Sequence, residues 1–366
     1  MTIASAISVH PVAAQATGEV IADLLERIEA PIATAFVFVT PAFVGALSDV
    51  VGATESILSP DVIVSVVSGG ILSGNNEVES GPGIAIWASD SLSTGAFHIS
   101  PDDTEMAIDR KIKHINSHSP LVVLADPLSG AAFKALDALE RANHRGKLCG
   151  GVLAHGDGIG STRLGIGNEI SGNGAVIIAF ERDEFEIAVS RGSTPLSGPL
   201  CITEVRGDRI ISFDHQPALE VVKGLLEQVG ESERSRAARN LSVETGLHSA
   251  AILGGDRSNS SVAVSFPLGA GEMATINLSS PERASEDLRR SVHGGASDGA
   301  LLFTCIDRGE AYFGSPHRDA DVVSESLGST AVAGLFCSAR IARLGGQATL
   351  LGDGVVTAIF GRSRYY

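Results

Sequence analysis

The pattern of apolar and polar positions repeats three times along this chain. Each copy is an apolar strand, an amphipathic helix, a second apolar strand, a glycine-rich turn and a third apolar strand. A Gly-x-Gly sequence opens the third strand in each copy: Gly81-Pro82-Gly83, Gly172-Asn173-Gly174 and Gly352-Asp353-Gly354. Glycine there permits a positive φ and a close approach of two backbones. We interpret the pattern as a repeated unit; the alternative is a chance similarity of glycine-rich hairpins.

The apolar runs set the expected boundaries of these elements. First strands are predicted at residues 36–39, 121–124 and 300–304, second strands at 62–67 and 331–336, and third strands at 84–87, 175–180 and 355–360. Helices are predicted at 44–57, 129–142 and 319–327. Hairpins that turn at Gly-x-Gly need antiparallel neighbours. The expected fold class is therefore α/β (α+β), with mixed, largely antiparallel sheets flanked by helices and two pseudo-symmetric halves built from the repeated unit.

The most charged stretch of the chain, residues 231–239, is the expected domain boundary. We expect one domain over residues 30–230 and a second over residues 240–362. Outside the repeated units, the pattern predicts helices at 15–28 and 218–226 and a hairpin of strands 200–205 and 209–213.

Composition narrows the possible partners. The chain is 44% hydrophobic, which is ample for a core, and its net charge is −16. That charge disfavours binding to nucleic acids and to anionic membranes, and no apolar run is long enough to span a bilayer. The N-terminus has no signal-peptide pattern. Four widely spaced cysteines, without Cys-x-x-Cys, fit reduced thiols in the cytoplasm.

The sequence contains none of the catalytic motifs with a recognisable spacing. There is no phosphate-binding loop, no Gly-x-Ser-x-Gly elbow and no His-Glu-x-x-His. We therefore predict no catalytic residue, no metal and no cofactor.

Three local groups of residues are candidates for a ligand site, because each follows a predicted strand. The first group is Gly150-Gly151 with His155 and Asp157, for which a solvated turn is the alternative. The second is Cys305, Asp307 and Arg308, where the arginine either binds a carboxylate ligand or pairs with an internal acid. The third is Phe336, Ser338 and Arg340, in which the aromatic ring and the arginine would line one pocket.

The order of several short sequences resembles that of the FIST family, whose N-terminal and C-terminal domains occur in bacterial sensory proteins and eukaryotic F-box proteins. The N-terminal resemblance lies in Glu77-Val78-Glu79-Ser80-Gly81-Pro82-Gly83, Cys149-Gly150-Gly151, Gly172-Asn173-Gly174-Ala175-Val176 and Gly192-Ser193-Thr194-Pro195. The C-terminal resemblance lies in Leu301-Leu302-Phe303, Cys305-Ile306-Asp307-Arg308-Gly309 and Gly334-Leu335-Phe336.

The resemblance implies a stand-alone bacterial-type member that senses a small molecule, an amino acid or another carboxylate metabolite, in signal transduction. A signalling protein is the other partner implied. At position 340 this chain has arginine where the family pattern has glutamate, so the charge is reversed. Two other functions stay open: an enzyme with Cys305 as nucleophile, and a protein-interaction scaffold like the F-box relatives.

We place the expected ligand site in a cleft between the two halves, walled by all three groups of residues. Clefts between domains are preferred ligand sites. Arg308 and Arg340 would make a local positive region on an acidic protein, which favours a carboxylate. The opposing interpretation is that Arg308 pairs with Asp307 or another acid of the chain.

Overall fold

The computed structural model describes residues 2–28, 31–90, 94–154, 162–180, 185–230, 234, 237–238, 240–246, 249–265 and 267–361. Contacts divide the chain into two compact units, the first formed by residues 1–189 with 288–366 and the second by residues 190–287. The first unit therefore combines parts of both sequence domains expected above, and the expected boundary near residues 231–239 stays a prediction. Within the described ranges, no helix has the length and apolarity needed to cross a membrane.

Strands of the first unit belong to two sheets. The first sheet has the order β1-β6-β2-β3-β10-β11 and contains β1 (Ile3–Ser8), β2 (Thr34–Val39), β3 (Val62–Val67), β6 (Ile84–Ser89), β10 (Arg163–Ile166) and β11 (Glu169–Ser171). The second has the order β13-β25-β22-β23-β9-β8-β12-β7. Its strands are β7 (Thr94–Ile99), β8 (Leu121–Ala125), β9 (Leu148–Leu153), β12 (Ala175–Phe180), β13 (Phe185–Ser190), β22 (Gly299–Cys305), β23 (Val332–Leu344) and β25 (Val355–Phe360). The strands β4 (Ile71–Ser73), β5 (Asn76–Val78) and β24 (Gln347–Leu351) attach to β23 or to one another.

The helices that pack on these sheets are α1 (Ala13–Leu25), α2 (Leu47–Leu58), α3 (Glu105–Ile112) and α4 (Ala131–Arg141), followed late in the chain by α6 (Pro281–Val292), the single turn α7 (Glu310–Phe313) and α8 (Arg318–Leu327). A 3₁₀ helix (Pro41–Ala46) precedes α2. Apolar residues of both sheets form one core between them, where the rings of Trp87 and Phe360 lie 5.0 Å apart. Helices cover the outer faces of the sheets through separate apolar clusters.

The three units read from the sequence have the same strand pairing. In each, the first strand runs parallel to the second and antiparallel to the third: β2 with β3 and β6, β8 with β9 and β12, and β22 with β23 and β25. Gly83, Gly174 and Gly354 each stand directly before the third strand. The expected class, mixed and largely antiparallel sheets flanked by helices, is confirmed.

In each of the three repeated units, a segment also pairs with a strand of another repeated unit. The segment after β3, which is β4, pairs with β23; the segment after β9, which is β10, pairs with β3; and the far half of β23 pairs with β9. The second strands of all three units are therefore joined in a cycle. Ser68 after β3, Ala154 after β9 and Phe336 within β23 consequently meet in one region of the first compact unit, close to candidate residues of the sequence analysis.

The second unit is built on a separate sheet. It contains β14 (Ser193–Pro195), β15 (Leu200–Arg206), β16 (Arg209–Phe213), β17 (Gln216–Pro217), β18 (Leu241–Thr245), β19 (Ser249–Asp256), β20 (Ser261–Val264), β21 (Met273–Ser279) and α5 (Ala218–Glu227). The order β21-β15-β16-β20-β19-β18 closes on itself, because β18 also pairs with β21. The predicted hairpin is present as the antiparallel pair of β15 and β16.

Candidate functional site

One buried hydroxyl joins the carboxyl ends of β3 and β9 to Phe336 within β23. Ser68 Oγ donates to Phe336 O at 2.8 Å and accepts from Ala154 N at 3.0 Å. Beside it, Gly69 N donates to Ala154 O at 2.9 Å. Ser68 is fully buried, so these bonds replace hydration of its hydroxyl and tie it to the backbone of Phe336 and Ala154. Ser68 thereby fixes the relative positions of the three strands.

Glycine is required at the pair Gly150-Gly151, which lies on β9 next to β23. Gly151 is the Cα partner of Arg340, and Gly150 is the partner of Ile341. A Cβ on Gly151 would overlap Cys337 Sγ, and one on Gly150 would overlap the carbonyl oxygen of Val123. The two glycines therefore let β23 and β8 approach β9 closely at the point where the strand ends meet.

Gly151→Ala should lower the free energy of unfolding by about 1–3 kcal/mol, the usual cost of overpacking a core. Urea denaturation of the two proteins measures the difference. Gly18→Ala is the control, because Gly18 lies in α1 with open space around it and alanine there stabilises a helix by about 1 kcal/mol. Adding Cys337→Ala to Gly151→Ala should recover part of the loss. Equal stability of Gly151→Ala and the wild type would contradict the close packing.

Cys305 and Cys337 are Cα partners on the parallel strands β22 and β23. Cys305 is 3% exposed, and its sulfur lies 3.9 Å from both Asp307 Oδ2 and Gly352 O. No histidine among the described residues hydrogen-bonds this sulfur. Burial raises the pKa of the Cys337 thiol above its ordinary value, with Arg340 opposing the shift. The surroundings of Cys337 favour a packed, neutral thiol, and Cys305 is likewise buried.

Arg340 lies on β23 with none of its surface exposed. Its Nη1 donates to Cys337 O at 3.2 Å, whereas Nε and Nη2 have no hydrogen-bond partner among the residues that the structure describes. Ser338, two positions earlier, donates through Oγ to Leu153 O at 3.2 Å. A buried guanidinium with two open donors is costly, because its lost hydration is not replaced.

In Arg308, the two nitrogens Nε and Nη2 bind an acid of the chain. Its Nε and Nη2 donate to the two carboxylate oxygens of Asp319 at 2.9 and 2.7 Å, and both side chains are buried. Thr304 Oγ1 donates to the same carboxylate at 2.5 Å. Burial alone would lower the pKa of Arg308, but the charge and hydrogen bonds of Asp319 outweigh burial and raise it. Arg308 is thus occupied by Asp319, whereas Asp307 is exposed.

The structure brings together Gly150, Gly151, Cys305, Phe336, Ser338 and Arg340 around adjoining strands of one unit. His155 and Asp157 lie outside the described residues. No site role is predicted from the sequence for Ser68, Asp319 or Glu77. Glu77 stands in the turn that carries the family resemblance, and Asp319 stands at the start of a predicted helix. The sequence pattern therefore locates both residues but does not show which residues they contact.

No group of three or more histidine, cysteine, aspartate or glutamate side chains is arranged to hold a metal ion within the described ranges.

Comparison with known proteins assigns the chain to a family. The model of the FIST N domain matches residues 33–216, and that of the FIST C domain matches residues 218–343. An uncharacterized protein of Mycobacterium bovis is 25% identical over 338 residues, 86% of this chain and 86% of its own length. An uncharacterized protein of Mycobacterium tuberculosis H37Rv is 24% identical over 337 residues, 85% of this chain and 87% of its own length. FIST domains are associated with sensing in signal transduction. Because the two models together span most of the chain, this protein belongs to the FIST family, with a FIST N domain followed by a FIST C domain.

Proposed function

We propose that this protein is a cytoplasmic, non-catalytic sensor that binds a small carboxylate, such as an amino acid or a related metabolite, and passes the signal to a protein partner. The observation that carries the proposal is the open edge of Arg340. Its Nε and Nη2 lack partners among the described residues although the side chain is completely buried.

The open edge has a specific chemistry. Nε–H and Nη2–H point to the same side of a guanidinium and match the two oxygens of a carboxylate. Arg308 shows this match within the same protein, since the same two nitrogens hold the carboxylate of Asp319 at 2.9 and 2.7 Å. A ligand carboxylate in the equivalent position on Arg340 would satisfy both open donors and neutralise the buried charge.

The proposed site is narrower than the one expected from the sequence. Arg308 already has a carboxylate, so the proposal assigns ligand binding to Arg340 and structural support to Arg308. Gly150, Gly151, Phe336 and Ser338 shape the surroundings, because they lie on β9 and β23 beside Arg340. A contribution of Asp307, His155 and Asp157 to ligand binding stays a prediction.

Thermal denaturation of the full chain with succinate, L-glutamate and acetate tests the proposal. We expect at least one carboxylate to raise the melting temperature, since a ligand at 100 times its Kd adds about 2.7 kcal/mol to the free energy of unfolding. The methyl ester of the same compound should have no effect. Arg340→Lys is the matched variant, because it keeps the charge and loses the paired donors; it should respond at least tenfold more weakly.

Two results would reject the proposal. One is an equal response of the wild type and Arg340→Lys, which would place binding elsewhere. The other is no response to any carboxylate at concentrations up to the millimolar range, which would favour the scaffold function.

A further inference from the structure

The hairpin of β4 and β5 holds the segment of residues 309–320 through its two glutamates. Glu77 Oε1 accepts from Ala320 N at 2.8 Å, in the first turn of α8, and Glu79 Oε1 accepts from Glu310 N at 2.7 Å, in the first turn of α7. Glu77 N also donates to His317 Nδ1 at 2.9 Å. These contacts join distant parts of the sequence: Glu77 and Ala320 are 243 residues apart.

Glu77 is the unusual member of this contact. It is only 6% exposed, and its Oε2 has no hydrogen-bond partner among the described residues. The neighbouring charges are those of Glu79 on the same hairpin, Arg318 and Asp319 at the start of α8, His317 before it, and Arg308, which is paired with Asp319. Burial is the main cost of a negative charge on Glu77, and the carboxylates of Asp319 and Glu79 add to it, whereas the hydrogen bond from Ala320 N opposes it. The charge of Asp319 is itself offset by its partner Arg308.

We propose that Glu77 is a proton-binding latch: its neutral carboxyl holds residues 309–320 on the β4–β5 hairpin, and loss of the proton releases them. The inference is independent of the proposed carboxylate site. It concerns the segment that includes the connection between β22 and α8, so its opening would expose the buried pair of Arg308 and Asp319.

The direction of the pH effect follows from the proton balance. Burial, with the charges of Asp319 and Glu79, raises the pKa of Glu77 from 4.5 to about 8. Between those two values the closed latch binds a proton that an opened, solvated Glu77 does not bind. Opening therefore becomes easier as the pH rises through this window, and its dependence on pH ends above about 8.

Hydrogen exchange of the full chain between pH 6.5 and 9 tests the latch. After correction for the intrinsic exchange rate, protection of residues 309–320 in the wild type should fall about tenfold per pH unit up to pH 8 and then level off. In Glu77→Gln, whose amide cannot ionise, protection should not depend on pH. Residues of β12 should keep their protection in both proteins, which separates local opening from global unfolding.

Matched variants isolate the titrating group. His317→Asn should keep the wild-type dependence on pH; asparagine tolerates the positive φ of 64° at position 317. Glu79→Gln should keep the slope but end it at a lower pH, because the charge of Glu79 contributes to the raised pKa of Glu77. A flat profile in the wild type would overturn the proposal without any variant. So would a wild-type slope in Glu77→Gln, or a slope that disappears in His317→Asn.

Discussion

Asp319→Asn is expected to lower the free energy of unfolding by about 3–5 kcal/mol, because it leaves the buried charge of Arg308 without its counterion. Asp319 has no exposed surface, and its carboxylate accepts both donors of Arg308 together with the hydroxyl of Thr304. Asparagine keeps the shape and one acceptor oxygen but removes the charge. Urea denaturation at pH 7 measures the loss.

Two controls separate charge from packing. The double variant Arg308→Met with Asp319→Leu should recover most of the lost stability, because replacing a buried ion pair by apolar side chains is often neutral. Glu204→Gln breaks the exposed pair of Glu204 and Arg206 and should cost at most about 1 kcal/mol. If Asp319→Asn cost no more stability than Glu204→Gln, the buried pair of Arg308 and Asp319 would not contribute the expected amount of about 3–5 kcal/mol.

Local pattern was sufficient to predict the elements of the three units. Continuous apolar runs located the strands, and the predicted second strand at 62–67 coincides with β3 (Val62–Val67). The helix predicted at 319–327 is α8 (Arg318–Leu327). The prediction succeeds there because strands buried on both faces are apolar throughout, and each Gly-x-Gly marks a turn that other residues adopt poorly.

Long-range pairing was not readable in the same way. β1 (Ile3–Ser8) was missed because its alternating alanine and serine residues carry little β-propensity, although it pairs along the whole length of β6. The exchange of β4, β10 and the end of β23 among the units also has no local signal. Register is set by the partner strand, and the partner is far away in the sequence.

The candidate site shows the same limit. Cys305, Arg308 and Arg340 were identified from their position after predicted apolar strands. Cys305 does end β22, but Arg340 lies within β23, which continues past the predicted strand end at residue 336. The partners were not identified, because Asp319 and Glu77 reach the site from a helix start and a distant hairpin. A charged residue on a sequence is equally consistent with solvent exposure and with burial beside a counterion. Only the fold distinguishes Arg308, which is paired, from Arg340, two of whose donors have no partner in the part of the chain that the structure describes.

Arg340→Met is expected to raise the free energy of unfolding of the ligand-free protein by about 2 kcal/mol. The substitution removes a fully buried charge whose Nε and Nη2 have no partner among the described residues, and it keeps an unbranched apolar stem. Replacing a buried ion pair by apolar side chains of similar volume is often neutral or stabilises a protein by about 1–4 kcal/mol, and a buried charge without a counterion is more costly than a pair. Urea denaturation of extensively dialysed protein measures the change, and the stabilisation by carboxylates should be lost in the same variant.

Arg343→Met provides the matched comparison on the same strand. Arg343 is also largely buried, but its Nη1 donates to Glu140 Oε1 at 2.7 Å and its Nε donates to Gly146 O at 3.1 Å. Removing a paired arginine leaves its acceptors unsatisfied, so Arg343→Met should destabilise the protein by about 1–3 kcal/mol. Opposite signs for the two variants would mark Arg340 as a residue kept for binding at the expense of stability. Equal losses would mean that an acid of the chain itself satisfies Arg340, and the ligand site would have to be sought elsewhere.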